Sequence, residues 1–150
     1  MNILKRNQFS LLMSFILMGL SGQLLAQSPQ QTRTDFSDGE LENFVEVVKV
    51  QQKGQLEMAE AIQSEGLDVN AFNQILQAKQ DPEAEVSKED EVKFRAASQK
   101  VKAIQQGLQS KVMKKINDTG LGMNTYTQIA QAYQQDAEVQ KKVNTILADN

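Results

Sequence analysis

SKEDEVKFRAASQKVKAIQQGLQSKVMKKI, residues 87–116, is the stretch whose reading decides the fold. Phe94, Ala97, Val101, Ile104, Leu108, Val112 and Ile116 recur every three or four residues, the spacing that puts side chains on one side of an α-helix. At 1.5 Å per residue such a helix is about 45 Å long. In a chain of 150 residues it reads as the spine against which everything else packs. The string N-D-T-G-L-G, residues 117–122, stops it. Gly120 is the expected left-handed residue just past the helix, and Leu121 the apolar residue that folds back on the last turn.

The residues before the spine carry the same signals. Ser37 with Glu40 three residues later is a capping box, and Phe36 before the cap can pack on Leu41 after it as a hydrophobic staple. A first helix runs from there to about Ser64, with Leu41, Phe44, Val45, Val48, Leu56, Ala59 and Ile62 as its apolar face. Gly54 in its middle costs about 1 kcal/mol relative to Ala, a cost that a close helix contact would explain. Gly66 and Leu67 end it as Gly120 and Leu121 end the spine. Asp68 then caps a short helix from Val69 to about Lys79, with Phe72, Ile75 and Leu76 inward. Pro82 stops that helix because it disfavours a helical Asp81, and Asp81 to Val86 is an acidic connector. Ser87 with Asp90 is a second, weaker capping box.

After the spine, a helix starts near Gly122 to Asn124, with Tyr126, Ile129, Ala130 and Tyr133 on its inner face. Either it continues to the C-terminus or Asp136 breaks it, with Val139, Val143, Ile146 and Leu147 extending the apolar stripe. The count is therefore four helices, or five.

These segments form an internal repeat. Ser37, Phe44, Ile62, Gly66-Leu67, Phe72, Gln74-Ile75, Gln77-Ala78 and Gln80-Asp81-Pro82-Glu83 correspond to Ser87, Phe94, Ile116, Gly120-Leu121, Tyr126, Gln128-Ile129, Gln131-Ala132 and Gln135-Asp136-Ala137-Glu138. The offset is 50 at the helix starts and 54 at the G-L turns, and the four extra residues, about one helical turn, preserve the buried face. Two copies of a helical hairpin, each with one apolar face, bury that face most simply against each other. The expectation is an all-α domain of two repeated helical hairpins, residues 36–86 and 87–150, forming an up-down four-helix bundle.

The strings F-S-D-G-E-L-E-N-F-V, G-L-D-V-N-A-F-N-Q-I and G-L-G-M-N-T-Y-T-Q-I-A-Q-A-Y-Q-Q-D-A-E-V-Q-K-K-V resemble the bacterial domain of unknown function 4168 family, over nearly all of residues 35–147. Gly122 and Ala137 depart from the pattern, standing where a capping hydroxyl residue and a proline are expected. The resemblance implies an exported helical protein and brings no activity, cofactor or catalytic residue.

Residues 1–26 read as a secretory signal peptide: Lys5 and Arg6, an apolar run from Phe9 to Leu20, and a small-residue exit cleaved after Ala26 to leave Gln27 first. A run of about twelve apolar residues is too short for the roughly twenty of a spanning helix, so no stable membrane insertion is expected after cleavage. The absence of cysteine excludes a lipid-anchoring signal. The product is expected in the periplasm or outside the cell. Residues 27–35, polar and nearly without apolar side chains, read as a flexible tether. Losing Lys5 and Arg6 takes the formal charge from −3 to −5, so the mature chain is mildly acidic and a poor nucleic-acid binder. With no cysteine, no disulfide holds it, and packing alone must do so.

The chain contains no histidine and no cysteine, which removes the usual general bases, thiolate nucleophiles and transition-metal ligands. The acidic clusters Asp35 to Glu46 and Asp81 to Glu91 stand at or before helix starts, where the helix dipole favours negative charge. They read as solvated caps rather than as an acid/base pair or cation site. Tyr126 and Tyr133 read as core rather than as a stacking surface, and the mid-helix glutamines 51, 52, 55, 105, 106 and 109 as exposed helix formers. The expectation is no enzyme and no cofactor, but a protein-binding or structural module of the envelope whose partner is another protein or itself, as a homodimer. The alternative is a small periplasmic chaperone of Spy-like type, a comparison resting on size, export and helicity.

One surface is a candidate for such binding. The short second helix, roughly 16 Å long, covers only the end of the first, whereas the last helix of the second repeat is long enough to cover the first half of the spine. Leu41, Phe44, Val45 and Val48 then lack a cover from their own repeat. Either the second hairpin shields them, or they form an exposed apolar groove for a dimer partner or an unfolded client.

Overall fold

Ser37 opens the first helix with both bonds of a capping box: its Oγ accepts from the Glu40 backbone N–H at 3.2 Å, and its own N–H donates to Glu40 Oε2 at 2.8 Å. Phe36 and Leu41, the two ends of the staple, are buried. The structure, a computed structural model, describes residues 33–81 and 85–149. The expected signal peptide, 1–26, and the expected tether up to residue 32 lie outside the described residues. Arg33 donates from Nη1 and Nη2 to the Glu40 carboxylate at 3.0 and 3.1 Å.

Among the described residues there are five helices: α1 Asp38–Ser64, α2 Val69–Ala78, α3 Lys88–Asp118, α4 Met123–Gln135 and α5 Ala137–Asp149. The fold is all-α. Asp136 does break the last helix; it takes an extended conformation, φ −115° and ψ 119°, and its Oδ1 accepts from the N–H groups of Glu138 and Val139 as an N-cap for α5. Gly66 has φ +78° and Gly120 φ +70°. Gly66 N–H donates to the Gln63 carbonyl and Leu67 N–H to that of Ile62, the pair of bonds that closes a helix through a left-handed residue.

α1 and α3 run antiparallel along their whole length. Asn43 Nδ2 donates to the Thr119 carbonyl at one end, Leu108 lies on Gly54 in the middle, and Lys100 Nζ donates to Ser64 Oγ at the other end. A Cβ added at Gly54 would stand 2.5 Å from Leu108 Cδ2, so the close contact expected at this glycine is present.

The short helices sit at opposite ends of this pair, each on the start of the other repeat's long helix. Phe72 of α2 packs on Phe94 of α3 with ring centroids 4.8 Å apart, and Tyr126 of α4 packs on Phe44 of α1 at 5.3 Å. Under the repeat Phe72 corresponds to Tyr126 and Phe94 to Phe44, so the two contacts are equivalent and the repeats are related by an approximate two-fold axis. The axis passes near Gly54 and Leu108, which are themselves equivalent at the offset of 54.

This arrangement is all-α, as expected, but does not establish the up-down four-helix bundle: among the described residues α2 touches neither α4 nor α5, and α5 does not touch α3. It also moves the centre of the fold. α1, not α3, touches all four other helices and buries eight residues against four for α3. Val101, Ile104 and Leu108 of the long stripe are only half-buried, Val101 at the edge of the cluster that holds Phe72 and Phe94 and Leu108 on Gly54 of α1. Leu56 is 65% exposed and Leu76 44%, so neither belongs to the core in which the apolar periodicity placed it. Leu56 is two residues from Gly54, about 200° around the helix from the α3 contact.

α5 covers the first half of α1 rather than of α3. Spacing on α1 gives Asn43 and Gly54 to α3 and Phe44 and Gln51 to α4, which turns Leu41, Val45 and Val48 toward α5. The corresponding positions on α3, which no fifth helix covers, are Glu91, Arg95 and Ser98. The chain has apolar residues where the extra helix lies and polar ones where its counterpart is missing.

Candidate functional site

Leu41, Phe44, Val45 and Val48, the candidate interaction surface, are interior: 1%, 3%, 1% and 1% exposed. The groove they would have formed is filled by α4 and α5 from the second repeat, whose Tyr126, Val139 and Val143 are buried as well. Gly66, Leu67, Gly120 and Leu121 stand at the two helix-ending turns, with both leucines buried. Asp38 and Glu40 lie in the first turn of α1, and Glu89, Asp90 and Glu91 in that of α3. Among the described residues no group of three or more carboxylates is placed to hold a metal ion. No helix among them is long and apolar enough to cross a membrane.

A polar pair lies inside the first half of α1. Gln51, 6% exposed, donates from Nε2 to the Tyr126 hydroxyl at 2.9 Å, while its Oε1 is buried without a hydrogen bond among the described residues. Burial pushes the Tyr126 hydroxyl above the ordinary tyrosine pKa, opposed by the bond from Gln51. Gln51 is the exception among glutamines expected to be exposed: it lies seven residues after Phe44 and three after Val48, on the buried stripe.

The recess with a mixed chemical character is elsewhere, between the middle of α1 and the last third of α3, where neither α4 nor α5 reaches. It has a volume of about 290 Å³. Val50, Gly54 and Leu108 supply its apolar part, and Lys53, Lys111, Lys114 and Lys115 line it together with Glu57 and Asp118. Helical spacing brings the lysines to one flank: Lys111 is followed at three and four residues by Lys114 and Lys115, and Lys53 immediately precedes the glycine on which Leu108 rests.

Part of this charge ties the two helices together. Lys115 meets Glu46 at 3.0 Å and Lys111 meets Glu57 at 3.6 Å across the seam, and Lys49 and Lys115 together hold the Glu46 carboxyl below its ordinary range. Lys114 pairs with Asp118 on its own helix, and among the described residues no carboxylate pairs with Lys53. Lys111, Lys114 and Lys115 thus each have a carboxylate partner, in Glu57, Asp118 and Glu46, and Lys53 is the one lining lysine without one among the described residues, beside an apolar floor. Lysine ammonium groups attract carboxylates and phosphates as point charges. The overall acidity of the chain concealed this local basic group, though Lys111, Lys114 and Lys115 within five residues were a readable signal.

The family model for a domain of unknown function (DUF4168) matches residues 23–85 and again residues 78–143. The two matches fall on the two repeats, with starts 55 residues apart. No curated protein and no solved structure matches the chain.

Proposed function

The chain belongs to the DUF4168 family, and from that premise we propose that it is an exported, non-enzymatic helical module of the cell envelope that works by binding another protein. The observation that carries the reading is the lysine-lined recess at the α1–α3 seam. It is an open, shaped surface with both apolar and charged character on the side of the helix pair away from α4 and α5. Removal of residues 1–26 would place this surface in the periplasm or outside the cell. The chaperone alternative required an apolar client groove, and the residues proposed for it are interior. A partner-specific surface is therefore the better reading.

The test is a photo-reactive residue placed at Lys53 in the native host, with the same residue at exposed Gln140 of α5 as control. The reading expects a defined protein adduct from position 53 and none from 140, on a chain whose N-terminus by mass spectrometry is Gln27. A chain that keeps Met1, or one that yields no protein adduct from position 53, would contradict it.

A further inference from the structure

Resting on that reading of the chain as a protein-binding module, we infer that the recess at the α1–α3 seam takes a short acidic peptide segment of the partner, an apolar residue flanked by carboxylates. Charge complementarity selects the sign: four lysines, Lys53, Lys111, Lys114 and Lys115, line the recess against two carboxylates, Glu57 and Asp118, around the apolar floor at Val50 and Leu108. Lys53 is exposed and has no carboxylate partner among the described residues, and Lys114, exposed as well, pairs with Asp118 of its own helix rather than across the seam, so a ligand can engage both without loosening the helix pair. The recess runs from Leu108 to Asp118 along α3, ten residues or about 15 Å. That length matches about four or five residues of extended chain at roughly 3.3 Å each. The ligand's apolar side chain rests beside Leu108, and its flanking carboxylates meet the lysines.

The experiment measures binding of the processed protein to a fluorescent Glu-Glu-Leu-Glu-Glu peptide. The comparisons are Gln-Gln-Leu-Gln-Gln, Lys-Lys-Leu-Lys-Lys and vesicles of an anionic phospholipid. The acidic peptide should bind best and weaken as salt rises from about 0.05 M to about 0.5 M. Lys53→Glu with Lys114→Glu should weaken it by about tenfold or more. The melting curve of that variant should stay unchanged, and its preference should shift to the basic peptide. Lys53→Gln with Lys114→Gln, which introduces no repulsion, should give a smaller loss. Equal binding of the neutral peptide, or undiminished acidic-peptide binding by the charge-reversed protein, would overturn the inference. So would vesicle binding through the same lysines that exceeds peptide binding. If position 53 still cross-links a protein while no acidic peptide binds, the peptide inference fails and the module reading stands. If no protein cross-links, the module reading itself fails.

Discussion

An alanine at Gly66 or Gly120 puts a Cβ on a backbone with φ of +78° or +70°, where an L-residue is disfavoured by about 1 to 2 kcal/mol. Chemical denaturation should show a loss of that order at each turn. Gly107 is the opposite case: it lies mid-helix in α3, and nothing stands within 4 Å of an added Cβ, so Gly107→Ala should stabilise by about 1 kcal/mol. At Gly54 the same helix preference is opposed by Leu108. Gly54→Ala should therefore stabilise by about 1 kcal/mol in a Leu108→Ala background and by clearly less in the natural chain. Equal effects in the two backgrounds would mean that the helices do not meet there. The buried Gln51–Tyr126 pair obeys an asymmetric rule. Tyr126→Phe leaves the Gln51 amide without its acceptor and should cost about 1 to 3 kcal/mol, whereas adding Gln51→Leu should recover most of the loss. At the other end of the helix pair the equivalent positions are apolar, Val101 in the place of Gln51 packing on the cluster that holds Phe72, in the place of Tyr126.

The starts and stops of the helices were legible because each depends on one or two residues: Ser37 and Ser87 as caps, Gly66 and Gly120 as left-handed ends, Asp136 as both break and cap. What periodicity does not report is how many neighbours a stripe has. The α3 stripe is the longer pattern, yet its middle residues Val101, Ile104 and Leu108 are only half-buried, while the shorter α1 stripe is enclosed by four helices. The cap at the start of α1 has a pH dependence with a defined sign. The Ser37 backbone N–H, and after it Arg33, hold the Glu40 carboxyl below its ordinary range. A group with a depressed folded pKa gives stability that is full above the unfolded value, about 4.3, and is lost as pH falls through the folded value. Melts of Glu40→Gln should thus depend less on pH than those of the natural chain between about pH 5 and about pH 3. Tyr126 has the opposite sign: its raised folded pKa gives stability that is full below about pH 10 and lost as pH rises through the folded value. Tyr126→Phe should remove that alkaline component.

For the whole molecule, the repeat was legible in the sequence but the way its copies combine was not. Correspondences such as Phe72 with Tyr126 state which residues are equivalent, and equivalence alone does not say whether a short helix covers its own long helix or the other one. The polar residues Glu91, Arg95 and Ser98 were the available clue that the two halves are covered unequally. The lysine recess was hidden for a related reason, since it joins residues of α1 and α3 that are close only once the helices pair. The central claim is that each short helix caps the other repeat's long helix. Of the six phenylalanines, Phe9 and Phe15 precede the expected cleavage site, and the chain has two tyrosines, so aromatic resonances of the processed protein are few enough to assign. The decisive measurement is the pattern of nuclear Overhauser contacts among Phe44, Phe72, Phe94 and Tyr126 in the processed protein. The account predicts contacts between Phe72 and Phe94 and between Phe44 and Tyr126, with none between Phe94 and Tyr126. A contact between Phe94 and Tyr126, or between Phe44 and Phe72, would mean that each hairpin closes on itself and would contradict it.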